Sequence, residues 1–106
     1  MLSLTPNARH AVKEVAARAH LPRRGGLRIV ESPQRAGAFE VSLVAKPVKG
    51  DELVEADGAR VYLEPQTSTV LADQQLDAAS SPEGTGFLLA PQDEPQDEPQ
   101  DVPAGD

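Results

Sequence analysis

Residues 2–30 read LSLTPNARHAVKEVAARAHLPRRGGLRIV, and the change of period inside this stretch decides the fold class. Leu2, Ser3 and Leu4 predict a short first strand. Thr5 stands where an N-cap belongs, and Pro6 takes the first helical position, where its missing N–H costs nothing. Ala8, Ala11, Val12, Val15, Ala16 and Ala19 then recur at helical spacing, leaving Arg9, Lys13, Glu14 and Arg18 on the wet side. Pro22 disfavours helical geometry at Leu21, so the helix is expected to end near His20. Its stripe of small residues suits close packing against a sheet. Past Arg23-Arg24-Gly25-Gly26 the helical period is lost, and Leu27-Arg28-Ile29-Val30 reads as a strand.

Working outward, short strands follow one another. Ser32 to Gly37 is a loop, and Ala38 to Ala45 a strand with Phe39, Val41 and Leu43 on one face. Pro47 and Gly50 mark a turn. Glu52–Glu55 and Ala59–Leu63 flank Asp57-Gly58, a dipeptide favoured in tight hairpins because it tolerates positive φ. In the second arm Val61 and Leu63 point one way, Arg60 and Tyr62 the other. A short helix is expected from Thr67 to Ala72 with Val70 and Leu71 inward. Leu76 opens another short strand, Ser81 to Gly84 is a turn, and Phe87-Leu88-Leu89 is a last strand. One helix followed by short strands predicts an α+β, mostly β domain. Aromatic residues are only 3% of the 106, so its core leans on Val, Leu and Ile.

The charge is uneven. Residues 91–106 read PQDEPQDEPQDVPAGD and hold six of the 17 acids and none of the 10 bases, so residues 1–90 carry 17 − 6 = 11 acids against 10 bases. Four prolines and little apolar surface predict a disordered tail over 91–106 beside a folded domain over 1–90. An acidic tail of this kind either solubilises, attracts a basic partner, or screens the domain's own arginines. The net charge of −7 argues against nucleic-acid binding. No apolar run is long enough for a membrane span and the first residues lack signal-peptide character, so a cytoplasmic location is expected.

Candidate chemistry is sparse. With no cysteine in the chain, disulfides, thiolate nucleophiles and thiolate metal sites are excluded. His10 and His20 lie ten residues apart on one predicted helix, about 80° off a common face and about 15 Å apart along the axis, so they cannot share a metal or a proton. Asp51, Glu52, Glu55 and Asp57 gather along one hairpin, where a hard cation would find oxygen ligands, though without EF-hand spacing. Arg23, Arg24 and Arg28 form the one basic concentration, suited to an anion or a partner contact. They follow a helix rather than precede one, so neither a P-loop nor a dinucleotide fingerprint is present. No nucleophile, acid or base is placed for catalysis, and no enzyme activity and no cofactor are expected.

A set of fragments in fixed order carries a further reading. They are Leu4-Thr5-Pro6-Asn7-Ala8, Gly26-Leu27-Arg28-Ile29, Asp51-x-x-Val54 and Gly58-Ala59-Arg60-Val61. Leu71, Leu76-Asp77 and Gly86-Phe87-x-Leu89-x-Pro91 complete the set. Over Leu2 to Pro91 this order resembles the HesB/IscA-type family of A-type iron–sulfur carriers. The resemblance implies a compact sheet or pseudo-barrel of short strands with an N-terminal helix. It also implies three cysteine ligands, one in the loop after the first long strand and a Cys-Gly-Cys pair past the last strand. The first of these falls near Arg35 and the others beyond Pro91, where this chain has no thiol. The expected role is therefore a cysteine-less accessory or protein-binding module of iron–sulfur assembly, able to self-associate. The alternative is an iron or shared-cluster carrier using Asp51, Glu52, Glu55, the tail acids or a partner's cysteines.

Overall fold

The computed structural model describes residues 1–92. Strand β1 (Ser3–Leu4) leads into helix α1 (Pro6–Arg18), followed by β2 (Gly26–Glu31), β3 (Phe39–Val44), β4 (Glu52–Ala56) and β5 (Ala59–Leu63). Helix α2 (Pro65–Val70) precedes the closing pair β6 (Gln74–Ser81) and β7 (Gly84–Pro91). The strands make a three-stranded sheet, β1-β6-β7, and a four-stranded sheet, β3-β2-β5-β4. This is the mostly β, α+β architecture that the period change predicted.

Local signals account for the element ends. The Thr5 Oγ1 accepts the Ala8 N–H at 3.1 Å, the expected N-cap. At the other end the N–H groups of His20 and Leu21 donate to the carbonyls of Ala17 and Ala16, a Schellman stop. His20 makes it in the left-handed region, at φ 55°. Asp57 and Gly58 are likewise left-handed, at φ 53° and 84°, which matches the two-residue hairpin turn between β4 and β5.

One hydrophobic core joins both sheets and α1. Its members include Leu2, Leu4, Ala8, Ala11, Val12, Leu27, Ile29, Val61, Leu63, Leu71 and Leu76. Small residues at Ala8 and Ala11 let the helix lie close, but its stripe is buried only in the first turns: Val15 and Ala16 are half-buried, and Ala19 is exposed. In the second helix the inward residue is Thr67, with Leu71 just past its end, whereas Val70 is exposed. The expected pair Val70 and Leu71 is thus half corrected, because the helix starts earlier, at Pro65, and turns Val70 outward. Tyr62 does point away from Val61 and Leu63, yet it is buried, and its hydroxyl donates to the Arg24 carbonyl at 2.6 Å.

The last hairpin is longer than the sequence suggests. β6 and β7 pair over eight residues each, from Gln74↔Pro91 to Ser81↔Gly84. Ala, Ser and Gly in both strands give little strand signal by themselves and are carried by the ladder. Pro91 ends β7, and the Gln92 side chain donates to the carbonyls of Met1 and Gln74 at 2.7 and 2.9 Å. Ordered contacts therefore continue past Ala90, and the predicted disordered tail from 93 onward lies outside the described residues.

The cap of α1 is also a tertiary contact. Thr5 Oγ1 donates to Asp77 Oδ1 at 2.7 Å, and the same oxygen accepts the Ala78 N–H at 2.8 Å. The Thr5 hydroxyl foremost, then the Ala78 N–H, hold the Asp77 carboxyl below its ordinary pKa, with Asn7 adding to the effect. A carboxylate depressed in the fold stabilises it above the unfolded pKa of about 3.9 and loses that contribution as pH falls through the folded value. Urea unfolding of the native chain between about pH 7 and pH 2 is expected to show this acid loss. Asp77→Asn should be less stable at neutral pH and lose less on acidification. An acid limb of equal depth in both proteins would contradict the assignment.

Candidate functional site

The fragments that carry the resemblance meet in pairs once the chain is folded. Thr5 and Asp77 share the cap just described. Gly26 lies against Arg60: a Cβ built on Gly26 would sit 2.4 Å from the Arg60 carbonyl oxygen. Arg28 and Asp51 form a two-point ion pair, Nε to Oδ2 at 2.6 Å and Nη2 to Oδ1 at 3.1 Å. The Asp51 side chain is 2% exposed and that of Arg28 23%. The hydrogen bonds that Arg28 donates to Asp51 raise the already high pKa of its guanidinium. These residues hold the scaffold.

This geometry separates the three arginines proposed as an anion or partner contact. Arg28 is engaged by Asp51, whereas Arg23 and Arg24 are exposed on the loop between α1 and β2. That loop leaves the sheet beside another. Gly26 pairs with Val44, and a Cβ on Gly25 would lie 2.8 Å from the Val44 carbonyl oxygen. Counting outward from the pair, Arg24 and Lys46 occupy equivalent positions on the two departing chains. Sequence reading missed Lys46, because only the β2–β3 register sets it opposite Arg24, and Lys49 follows on the same loop.

The hairpin carboxylates do not converge either. Asp51 pairs with Arg28, Glu55 with Arg60 at 3.4 Å, and Asp57 with Lys13 at 3.3 Å, while Glu52 accepts from the Ser68 hydroxyl. Among the described residues no group of three or more His, Cys, Asp or Glu is placed to hold a metal ion. His10 and His20 are both exposed and apart.

Arg35 is exposed at the tip of the 32–38 loop. The Ser32 N–H donates to Ala38 O at 2.7 Å and the Gly37 N–H to Glu31 Oε2 at 3.1 Å, which ties the loop into a closed turn. Beside it runs an open groove of about 510 Å³ lined by Glu31, Ser32, Pro33, Glu64 and Gln66. Glu31 is used by the loop, and Glu64 accepts from Thr67 Oγ1 at 3.3 Å.

The most distinctive surface is apolar. Val41 and Leu43 pair with Ile29 and Leu27, so they share the sheet face that is buried at β2 and β5. On the edge strand β3 no element among the described residues covers that face fully, and Val41 and Leu43 stay 45% and 42% exposed. Phe39 and Val41 line a cavity of about 170 Å³ with Phe87, Leu88 and Leu89 of the other edge strand, β7. Leu88 is 50% exposed.

The chain matches no protein-family model. It is 37% identical over 90 residues to the uncharacterized protein in the nifU 5′ region of Cereibacter sphaeroides, covering 84% of this chain and 85% of that protein. The chain belongs to the family of that nifU 5′-region protein. Among solved structures it is similar to Escherichia coli SufA, a protein involved in biosynthesis of iron–sulfur clusters. The TM-score is 0.71 at 24% identity, over 85% of this chain and 84% of SufA. It is also similar to IscA in its structure with a 2Fe–2S cluster, with TM-score 0.60 and 24% identity over 86% and 82% of the two chains. The HesB/IscA-type fold expected from the ordered fragments is thereby borne out for this nifU 5′-region family member.

The donor set does not follow the fold. A 2Fe–2S cluster is held by soft ligands, chiefly thiolates. This chain has no cysteine, Arg35 stands near the first expected ligand position, and the nearby carboxylates serve hydrogen bonds of the scaffold. The residues present do not fit a cluster held by this chain alone. Among the described residues no helix is long and apolar enough to cross a membrane.

Proposed function

We propose that this nifU 5′-region family member is a non-catalytic accessory module of iron–sulfur cluster assembly that binds a protein partner and carries no cluster of its own. The observation that carries this reading is the combination of the SufA and IscA fold with a donor set holding no thiol. The strip of Val41 and Leu43, uncovered among the described residues, supports the protein-binding half, since an apolar face continuous with the core is where a protein surface gains most from burial.

Iron, acid-labile sulfide and visible absorbance, measured on the anaerobically purified full chain before and after attempted reconstitution, test the first half. The expected result is a colourless protein that retains neither iron nor sulfide after desalting. Stoichiometric iron and sulfide would overturn it. The second half is tested by mixing the chain with a cysteine-bearing carrier of the SufA and IscA fold from the same cells and measuring mass by light scattering. A mixed complex that is lost in the Val41→Ser, Leu43→Ser double variant is expected, and no complex would overturn the reading.

A further inference from the structure

The chain's basic residues are divided in an uneven way. Lys13, Arg18, Arg28 and Arg60 each pair with a carboxylate, at Asp57, Glu14, Asp51 and Glu55. Arg9 donates to the Leu4 carbonyl, and Arg23, Arg24, Arg35, Lys46 and Lys49 are exposed with no ion-pair partner among the described residues; of these five, Arg35 stands alone on the 32–38 loop and the other four lie together. They sit on two loops that leave the β2–β3 ladder at one corner, with Arg24 and Lys46 in equivalent positions beyond the Gly26↔Val44 pair. The corner is held firmly. Gly25 permits the close approach to Val44, and the Tyr62 hydroxyl clamps the Arg24 carbonyl. Four cations on these two neighbouring loops form an attractive surface in a chain whose net charge is negative.

The complementary charge lies in the same chain. Residues 93–106 hold six acids, Asp93, Glu94, Asp97, Glu98, Asp101 and Asp106, and no base. The repeat Pro-Gln-Asp-Glu gives paired carboxylates at a four-residue interval, matched to guanidinium and ammonium donors spread over two loops. Gln92 fixes where this segment starts, beside Met1 and Gln74. Fourteen residues from that point reach at most about 50 Å when extended, comparable with the 48 Å longest extent of the protein. We propose that the corner formed by Arg23, Arg24, Lys46 and Lys49 is a docking surface for an acidic extended peptide, and that its resident occupant is the chain's own segment 93–106. This inference is independent of the accessory role, because it concerns a different surface and needs no partner.

The absence of cysteine makes a direct test clean. Ala104→Cys in the full chain introduces a single thiol for a nitroxide spin label, whose effect on amide signals is read by nuclear magnetic resonance. At about 0.01 M salt, where charges act over about 30 Å, the amides of residues 23–26 and 45–50 are expected to be broadened most. That broadening should vanish at about 1 M salt, where the screening length is about 3 Å. It should also vanish when Arg23, Arg24, Lys46 and Lys49 are all replaced by Gln, with amide positions elsewhere unchanged. Broadening centred on another surface, or equal in the Gln variant, would overturn the proposal. Natural-abundance chain carrying the nitroxide, mixed with isotope-enriched chain that carries none, separates the two origins of the contact. Strong broadening in that mixture would place the segment on a second copy and overturn the intramolecular assignment.

Discussion

Replacing Gly26 by alanine is expected to cost the protein most or all of its stability. The added methyl would be placed 2.4 Å from the Arg60 carbonyl oxygen and 3.0 Å from the Arg60 carbonyl carbon and Cβ. Two of these three are main-chain atoms of β5, which pairs in parallel with β2 at the centre of the larger sheet. No rotamer change relieves the clash, so the strands must separate where Leu27, Ile29, Val61 and Leu63 form the core. The expected loss is about 3 kcal/mol or more, the scale of overpacking with backbone displacement. A small single domain has as little as about 5 kcal/mol in reserve, so the variant is expected to unfold at a much lower urea concentration than the native chain. Gly37→Ala is the control. Gly37 has φ +85° but open space around it, so only the local conformational cost of about 1 kcal/mol is expected. Urea unfolding followed by circular dichroism compares the two, and equal effects would refute the steric explanation.

Asp51→Ala is expected to have the next largest effect. It would remove both acceptors of Arg28 and leave a guanidinium that is only 23% exposed without a partner. Breaking a pair by deleting one member costs more than the pair contributes, because the remaining charge stays desolvated. Arg28 retains some water contact, so a loss of about 2–3 kcal/mol is expected. The double variant Arg28→Met, Asp51→Ala should recover part of it, since no buried charge remains. A double variant as unstable as the sum of the single changes would mean that Asp51 acts through the loop it belongs to and not through Arg28. The cation that Asp51 faces is already a side chain of the protein.

The apolar strip on β3 and the basic corner near Gly26 belong to different parts of one sheet. β3 is an edge strand whose core-side residues Val41 and Leu43 stay exposed among the described residues, while the corner lies where β2 begins and β3 ends. A partner on the strip and an acidic segment at the corner would therefore engage neighbouring surfaces of the same strand pair. The two can be tested separately, because Val41→Ser and Leu43→Ser leave the charges intact and the Gln replacements leave the strip intact.

What lies within a few residues along the chain was legible beforehand. Thr5-Pro6 and the spacing of Ala8, Ala11 and Val12 specify the start and buried face of α1, and Asp57-Gly58 specifies the hairpin turn. Both are set by local backbone preference and short-range hydrogen bonds, which need no distant partner. The missing thiols are likewise a property of the sequence alone, and no packing supplies a ligand atom that the residues lack. Tertiary structure decided the rest. It extended β6 and β7 over residues of weak strand preference, buried Tyr62 with its hydroxyl on the Arg24 carbonyl, and left Val41 and Leu43 exposed on a face that is core elsewhere in the sheet. It also took Arg28 away from Arg23 and Arg24, gave it to Asp51, and set Lys46 beside Arg24. Each of these outcomes depends on strand register or loop crossing between residues about 20 or more apart or on opposite sides of a long ladder. Side-chain pattern fixes which face of a strand is apolar, but only the neighbours that fold against that face determine whether it becomes core, edge or site.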